Sequence, residues 1–526
     1  MLQLYPSVGL GLGQGHLERW KTKNQDFLKR LDMPITFKQI EHSYSQLPQL
    51  LFARVQPTPV TQPELLAVND TLAETLHITR NEITCPDGVA VFAGNTIPDG
   101  AEPIALAYAG HQFGHLVPQL GDGRAILLGE IIGRDGKRYD VQLKGAGRTP
   151  YSRRGDGRAA LGPVLREYLV SEAMAALGVP TTRSLCAVAT GEQVYREIPS
   201  PGAVLTRVAL SHLRVGTFEY VALRRDLDTL ERLTNYALAR LYPDRSSNGS
   251  VAITLLEAVI EAQAELVAHW MALGFVHGVM NTDNMAISGE TIDYGPCAFL
   301  DTYSPERTFS SIDVNGRYAF INQPNCAQWN LTRLAEALFP LVLKEGHDEA
   351  EATVLLNECL KAFYPQYTAA YQMRLRCKLG LTLETADDAA LAQDLLTLMA
   401  NNKVDYTLCF RRLVDLVEGV DASVITGLFA DPEAIGEWLR RWDHRSQQEP
   451  RAHAARAALM RGANPAFIPR NHRIEEVIAA ALQGDMAPFA RLHAVLARPY
   501  EDQLDARDLA LPPGEEQWDY RTFCGT

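Results

Sequence analysis

Apolar residues are spaced in two ways along this chain, and the change falls near residue 226. From about residue 100 to 225 they come in short runs that read as strands. Residues 124–132 (RAILLGEII) and 139–143 (YDVQL) flank Arg134-Asp135-Gly136-Lys137, a turn composition that predicts a hairpin. Residues 159–177 then carry Leu161, Val164, Leu165, Tyr168 and Leu169 at helical spacing, and Gly178 and Pro180 close the helix. Short strands are expected near 184–189, 193–197 and 203–209. Beyond residue 226 the spacing lengthens and predicts helices over 226–241, 251–273, 327–343, 349–362, 387–400, 472–483 and 485–497. The expected chain is α+β. It has an N-terminal extension over 1–35, a strand-rich region over 36–225, a larger helical region over 226–500 and a tail over 501–526.

Composition narrows the class. Hydrophobic residues make up 46% of the 526 and charged residues 21%, which suits a folded chain with a substantial core rather than a disordered one. The net charge of −13 argues against a general nucleic-acid binder, but arginines crowd between Arg124 and Arg214, enough for a local basic pocket. Eight cysteines are scattered with no zinc-knuckle spacing, which points to a reducing compartment. Cys524, two residues from the end, is expected to be accessible and the other seven inert. The start lacks the basic-then-apolar pattern of a secretory signal, and no run of ~18 apolar residues would cross a membrane. A cytoplasmic setting without membrane partners is expected. Gly9, Gly11, Gly13 and Gly15 follow no strand, so they read as a flexible terminus rather than a dinucleotide loop.

Four features in order carry the chemistry. Gly121-Asp122-Gly123-Arg124 leads into the first strand of the hairpin; glycines let backbone N–H groups approach phosphate, and the arginine adds charge. Lys144 ends the second strand, where a kinase lysine holds ATP phosphates and pairs with a glutamate on the next helix, here Glu167 or Glu172. His277 to Asn284 (HGVMNTDN) follows the long helix, like a kinase catalytic loop. Asn284 falls on the metal-binding asparagine, but Val279 stands where the catalytic aspartate should be. Valine accepts no proton, so Asp283 becomes the candidate base. Asp293-Tyr294-Gly295 matches the triplet whose aspartate binds Mg²⁺. Together with the strand-then-helix order, these outline a protein-kinase-like two-lobed fold. Arg148, Arg153, Arg154 and Arg158, around Gly155-Asp156-Gly157, and Arg207 and Arg214 are more positive charge than a kinase needs there. At least half are expected to be merely solvated. His111 and His115 have zinc-protease spacing, but Gln112 replaces the glutamate that would activate water, so packing near the glycine turn is the better reading.

The segments GHQFGHLVPQLGDGRAILLGE, QLKGAGRTPYSRRGDGRA, HLRVGTFE, HGVMNTDNM, DYGPCAFLD and PRNHRIEEVI closely resemble the selenoprotein O family of kinase-fold protein adenylyltransferases. The resemblance implies ATP bound inverted relative to kinases, with AMP moved to Ser, Thr or Tyr hydroxyls of protein substrates. By the same resemblance Gly121, Gly123, Arg124, Lys144, Asp156, Gly157, Arg207, Arg214 and Asp293 contact nucleotide, and Glu167 pairs with Lys144. Asp283 is the general base, Asn284 and Asp293 hold Mg²⁺ or Mn²⁺, and Cys524 has a redox role. Three alternatives stay open from the residues: a catalytically inactive nucleotide-binding scaffold, motivated by Val279, a phosphotransferase using Asp283, and transfer of UMP.

Overall fold

The computed structural model describes residues 40–246, 249–450 and 452–514; the extension 1–35 and Cys524 lie outside the described residues. The hairpin expected at Arg134–Lys137 joins β7 (Ala125–Ile132) to β8 (Arg138–Lys144) at the centre of a nine-stranded antiparallel sheet. The chain reaches it through β1 (Ile40–Glu41), β2 (Phe52–Arg54), β3 (Glu64–Val68) and β4 (Ile104–Leu106). A separate small hairpin, β5 (Gly110–Gln112) and β6 (His115–Val117), interrupts the sheet strands. After β8 come β9 (Ala159–Ala160), β10 (Arg183–Val194) and β11 (Ser200–Ala209), giving the order β2-β4-β7-β8-β11-β10-β3, with β1 on β7 and β9 on β11.

Period-two alternation divides the sheet into two faces. Ile126, Leu128, Val141, Leu143, Val188 and Val204 pack with Leu72, Ile83 and Phe92 from three short helices between Asp70 and Ala93. Leu127, Ala187, Ala203 and Leu205 pack on the other side with the main core, against α1 (Leu161–Ala176). The strands expected at 184–189 and 193–197 are one strand instead. Gly191, at φ +72°, is absorbed as a break in register between Ala189 and Gln193, and residues 195–199 form the turn that follows.

After α2 (Val215–Ala222) the chain is helical, and α3 (Val251–Leu273) has the expected bounds. Ser250 accepts from the Ile253 N–H at its start, and Gly274 at φ +74° ends it, so both termini are set locally. Two short paired strands, β12 (Phe275–Val276) and β13 (Ala298–Phe299), bracket the 277–297 segment, and α4 (Gln323–Lys344) follows. Helices at Phe363–Lys378, Tyr406–Val417, Pro432–Ser446 and His453–Ala463 were not expected. In Phe363–Lys378 the apolar side chains are spread around the axis, so periodicity carries little signal, whereas Tyr406–Val417 and Pro432–Ser446 each bury one apolar face. No helix among the described residues is long and apolar enough to cross a membrane.

Candidate active site

The ladder register turns Lys144, Gln142 and Arg207 toward α1. Gln142 stands opposite Leu127 and Arg207, and Lys144 opposite Ala125 and Leu205, so these polar groups share the face that packs on the helix. Lys144 Nζ lies 2.5 Å from Glu167 Oε2 on α1 and 2.9 Å from Asp293 Oδ1. Of the two glutamates offered by the sequence, Glu167 is therefore the partner; Glu172 pairs with Arg183. Arg207, buried at 2% exposure, donates to Gln142 Oε1 at 2.7 Å and reaches Asp293 Oδ1 at 2.8 Å and Glu167 Oε1 at 3.3 Å. Arg214 takes the other Asp293 oxygen at 2.8 Å and donates to the Asp283 carbonyl at 2.6 Å.

One carboxylate thus gathers three cations. Burial opposes ionisation of Asp293, but Lys144, Arg207 and Arg214 outweigh it and hold the carboxyl well below the usual carboxylate range. Asp293 sits at φ +65°, a left-handed conformation rare for a residue other than glycine; the three basic contacts fix the side chain across it. Arg214 lies over the Tyr108 ring, 4.5 Å from its centroid, and its Nε is buried without a hydrogen-bond partner.

Asp283 occupies a single turn, Thr282–Asn284, after β12. It is buried at 7% exposure; Gln112 Nε2 donates to Oδ2 at 3.5 Å, and Oδ1 has no partner. Burial raises its carboxyl to about 6 against the pull of Arg214. The space beside it exists because residue 110 is glycine: a Cβ there would sit 2.3 Å from Asp283 Oδ1. Val279 is buried and supplies no acid to the loop. His277 has a structural place: its amide donates to Gln323 Oε1, and its neutral ring donates from Nε2 to the Ile292 carbonyl at 2.9 Å, one residue before Asp293. Asn284 donates Nδ2 to the Val279 carbonyl at 3.0 Å, which leaves its side-chain oxygen as the atom for a cation.

The glycine turn is covered by the chain itself. Gly121 adopts φ +120°, and a Cβ on it would meet the Tyr151 ring at 2.5 Å. Ser152 Oγ donates to the Gly123 carbonyl at 2.5 Å, and Thr149 Oγ1 to that of Asp122 at 2.6 Å. Arg124 accepts at its carbonyl from the Gly145 N–H and is only partly exposed. Gly157, at φ +71°, packs against the Gly147 carbonyl, where a side chain would collide at 2.0 Å. Asp156 is gripped by Arg196 through two bonds of 2.8 and 2.9 Å, which lowers its carboxyl to about 2. Arg153 and Arg154 are exposed, but Arg148 donates Nε to the Gly155 carbonyl at 2.9 Å, Arg158 donates to the Thr58 and Pro59 carbonyls, and Arg207 and Arg214 are buried, so fewer than the expected half are merely solvated.

Four residues around the site had no catalytic or binding role in the sequence reading. Asp122, between the two glycines, accepts from the Leu106 N–H and from Gln142, and Arg214 Nη2 lies 3.8 Å away. Gln112 and Gly110 both bear on Asp283. His111, set aside as a metal ligand, pairs with Glu219 at 2.5 Å and meets Trp329 edge-on. Among the described residues no cluster of three or more His, Cys, Asp or Glu suits a metal ion. One carboxylate and one amide oxygen, completed by phosphate oxygens and water, do fit a hard divalent cation.

A family model described as protein adenylyltransferase SelO matches residues 34–497. A protein nucleotidyltransferase YdiU of a Bradyrhizobium species is 58% identical over 487 residues, covering 92% of this chain and 99% of the relative. The YdiU proteins of Methylorubrum extorquens, 56% identical over 494 residues with 92% and 99% covered, and Alkalilimnicola ehrlichii, 54% over 488 with 92% and 98%, are similar along the same span.

Proposed function

This chain belongs to the SelO family of protein nucleotidyltransferases, and from that premise we propose that it moves AMP from ATP to hydroxyl groups of protein substrates. The observation that carries this reading is the pair of aspartates bridged by Arg214. Asp293 is held ionised by three cations, while Asp283 is buried, half-partnered and raised toward neutrality. An ionised aspartate beside a basic cluster suits a cation–phosphate site, and a carboxyl near 6 suits proton removal at neutral pH.

In this reading the cleft belongs to a kinase-like two-lobed fold, with the sheet carrying Lys144 and the glycine turn, and the helical part carrying Asp283, Asn284 and Asp293. A Ser, Thr or Tyr oxygen attacks the α-phosphorus, the bond from that phosphorus to the bridging oxygen breaks, and pyrophosphate leaves. Asp283 takes the hydroxyl proton. Asn284 and Asp293 hold the divalent cation, which when bound neutralises phosphate charge, whether Mg²⁺ or Mn²⁺. Lys144, Arg207 and Arg214 steady the nucleotide, and the spare Nε of Arg214 is a donor not yet committed. Gly121, Gly123, Arg124, Asp156 and Gly157 shape the rim, and Glu167 keeps Lys144 aimed. The inverted orientation is supported by the arginine density around the glycine turn, which would meet the departing β- and γ-phosphates. A cytoplasmic setting suits the free thiols.

ATP labelled at the α- or the γ-phosphate, with UTP in parallel, tests this on purified protein. Label from α-ATP alone, with one AMP gained in intact mass, is expected. γ-Label would restore phosphoryl transfer, preferential UMP gain would change the nucleotide, and tight binding without any label would favour the scaffold that Val279 suggests.

A further inference from the structure

The β5–β6 hairpin meets the 311–322 stretch beside Asp283, and a cation stands there without an acidic partner. The Arg317 guanidinium lies 4.9 Å from the Trp329 ring centroid and 5.7 Å from that of Tyr318. It rests against Gly114, where a Cβ would come within 3.4 Å of it. Its Nε has no hydrogen-bond partner, and no carboxylate among the described residues pairs with it. Asp313, four residues earlier, uses its carboxylate on the backbone N–H groups of Arg317 and Tyr318, at 2.9 and 2.8 Å. Arg333, on the other side of this cluster, also lies 4.9 Å from Trp329 but is paired with Glu336 at 2.7 Å.

Arg317 is tied to the reacting end of the site by its neighbours. The Tyr318 hydroxyl donates to Asn281 Oδ1 at 2.6 Å, and the Phe113 N–H reaches the same oxygen at 3.1 Å. Gln112, next along the hairpin, donates to Asp283. The base and the unpaired guanidinium are therefore carried by one short stretch of β5–β6 and one asparagine loop. Around Arg317 the same surface stretch leaves Ile312 at 60%, Val314 at 87% and Ile321 at 53% exposure. An aromatic face holds the guanidinium plane and leaves N–H groups on its edge for an in-plane carboxylate. On a chain of net charge −13, an unneutralised arginine here selects against the background repulsion of an acidic partner.

We propose that this surface receives the acceptor segment of the protein substrate and that Arg317 selects segments with a carboxylate close to the acceptor hydroxyl, apolar neighbours resting on Ile312 and Val314. The proposal rests on the protein-acceptor reading above. Its test uses peptides that differ only in carrying Glu or Lys beside a single hydroxyl, with the full chain and α-labelled ATP. Binding of each peptide is followed separately by fluorescence anisotropy. The Glu peptide is expected to show a KM about tenfold lower, with kcat nearly unchanged. Arg317→Glu should reverse the preference toward the Lys peptide, and Arg317→Lys should keep most of it. Equal binding of the two peptides, or a preference untouched by Arg317→Glu, overturns the proposal. Label without acidic preference removes the docking inference and keeps adenylyl transfer. Acidic preference in binding with no label on any peptide keeps the inference and removes the transfer reading.

Discussion

Asp283 is a carboxylate with one oxygen shut away from both water and protein donors, and two predictions follow from that. Because burial raises its carboxyl to about 6, kcat/KM should fall about tenfold per unit as pH drops below that value, and level off above it. A pH–rate profile checks this, and a flat profile through pH ~6 would remove Asp283 as the base. The sign for stability is opposite. A folded-state value above the ordinary 3.8 means the native state binds the proton more tightly, so ionisation costs stability as pH rises from about 4 to about 6. Asp283→Asn should therefore abolish transfer yet stabilise the fold above pH ~6, by at most about 3 kcal/mol, with the gain gone below pH ~4. Denaturant midpoints at the two ends of that range decide it. Gly110→Ala acts on the same atom from outside: its methyl would need the space 2.3 Å from Oδ1. It should cost about 100-fold in kcat through a displaced base, with nucleotide affinity kept. Asp283, Lys144 and Asp293 were legible because their types and order are unusual. Gly110 and Gln112 were not, because nothing local distinguishes them from turn residues.

Between elements, single arginines do the joining. Arg470, just before the Asn471–Ala481 helix, is 1% exposed on its side chain and bridges Asp301 and Asp405. Asp405 is also the N-cap of Tyr406–Val417, and the Arg470 Nε–H bonds the Ala510 carbonyl. It thus ties the segment after Asp293, a helix start and the chain's last described residues. Arg470→Met should leave the buried Asp405 and the partly buried Asp301 without their cation and destabilise by about 3–5 kcal/mol, read as a shift in denaturant midpoint. A shift no larger than that of a surface arginine would show the network to be dispensable. Most of the helices after residue 226 were legible from apolar spacing and local caps, as at Ser250 and Gly274. Phe363–Lys378 was not, because a helix packed on several sides loses the single apolar stripe that periodicity detects; Tyr406–Val417 and Pro432–Ser446 do carry one apolar face and were nonetheless passed over.

For the whole molecule, nucleotide and cation should report themselves as stability. ATP with Mg²⁺ or Mn²⁺ is expected to add about 2–4 kcal/mol of stability by linkage at ligand well above Kd, read as a raised unfolding temperature. Asn284→Ala should remove the cation-dependent part, and Lys144→Ala should weaken ATP binding with or without metal. An unchanged cation effect in Asn284→Ala would move the metal elsewhere. The order of the parts along the chain was set by the sequence alone: a glycine turn, a strand-end lysine, a helix glutamate, an aspartate–asparagine pair and a second aspartate. Each depends on residue type and local spacing, which a linear reading can see. Tertiary structure decided how those charges are shared. The choice of Glu167 over Glu172, the convergence of Lys144, Arg207 and Arg214 on one carboxylate, and the isolation of Asp283 Oδ1 depend on sheet register and on loops distant in sequence. Long-range proximity sets the burial and the charge around each group, and no local pattern encodes it.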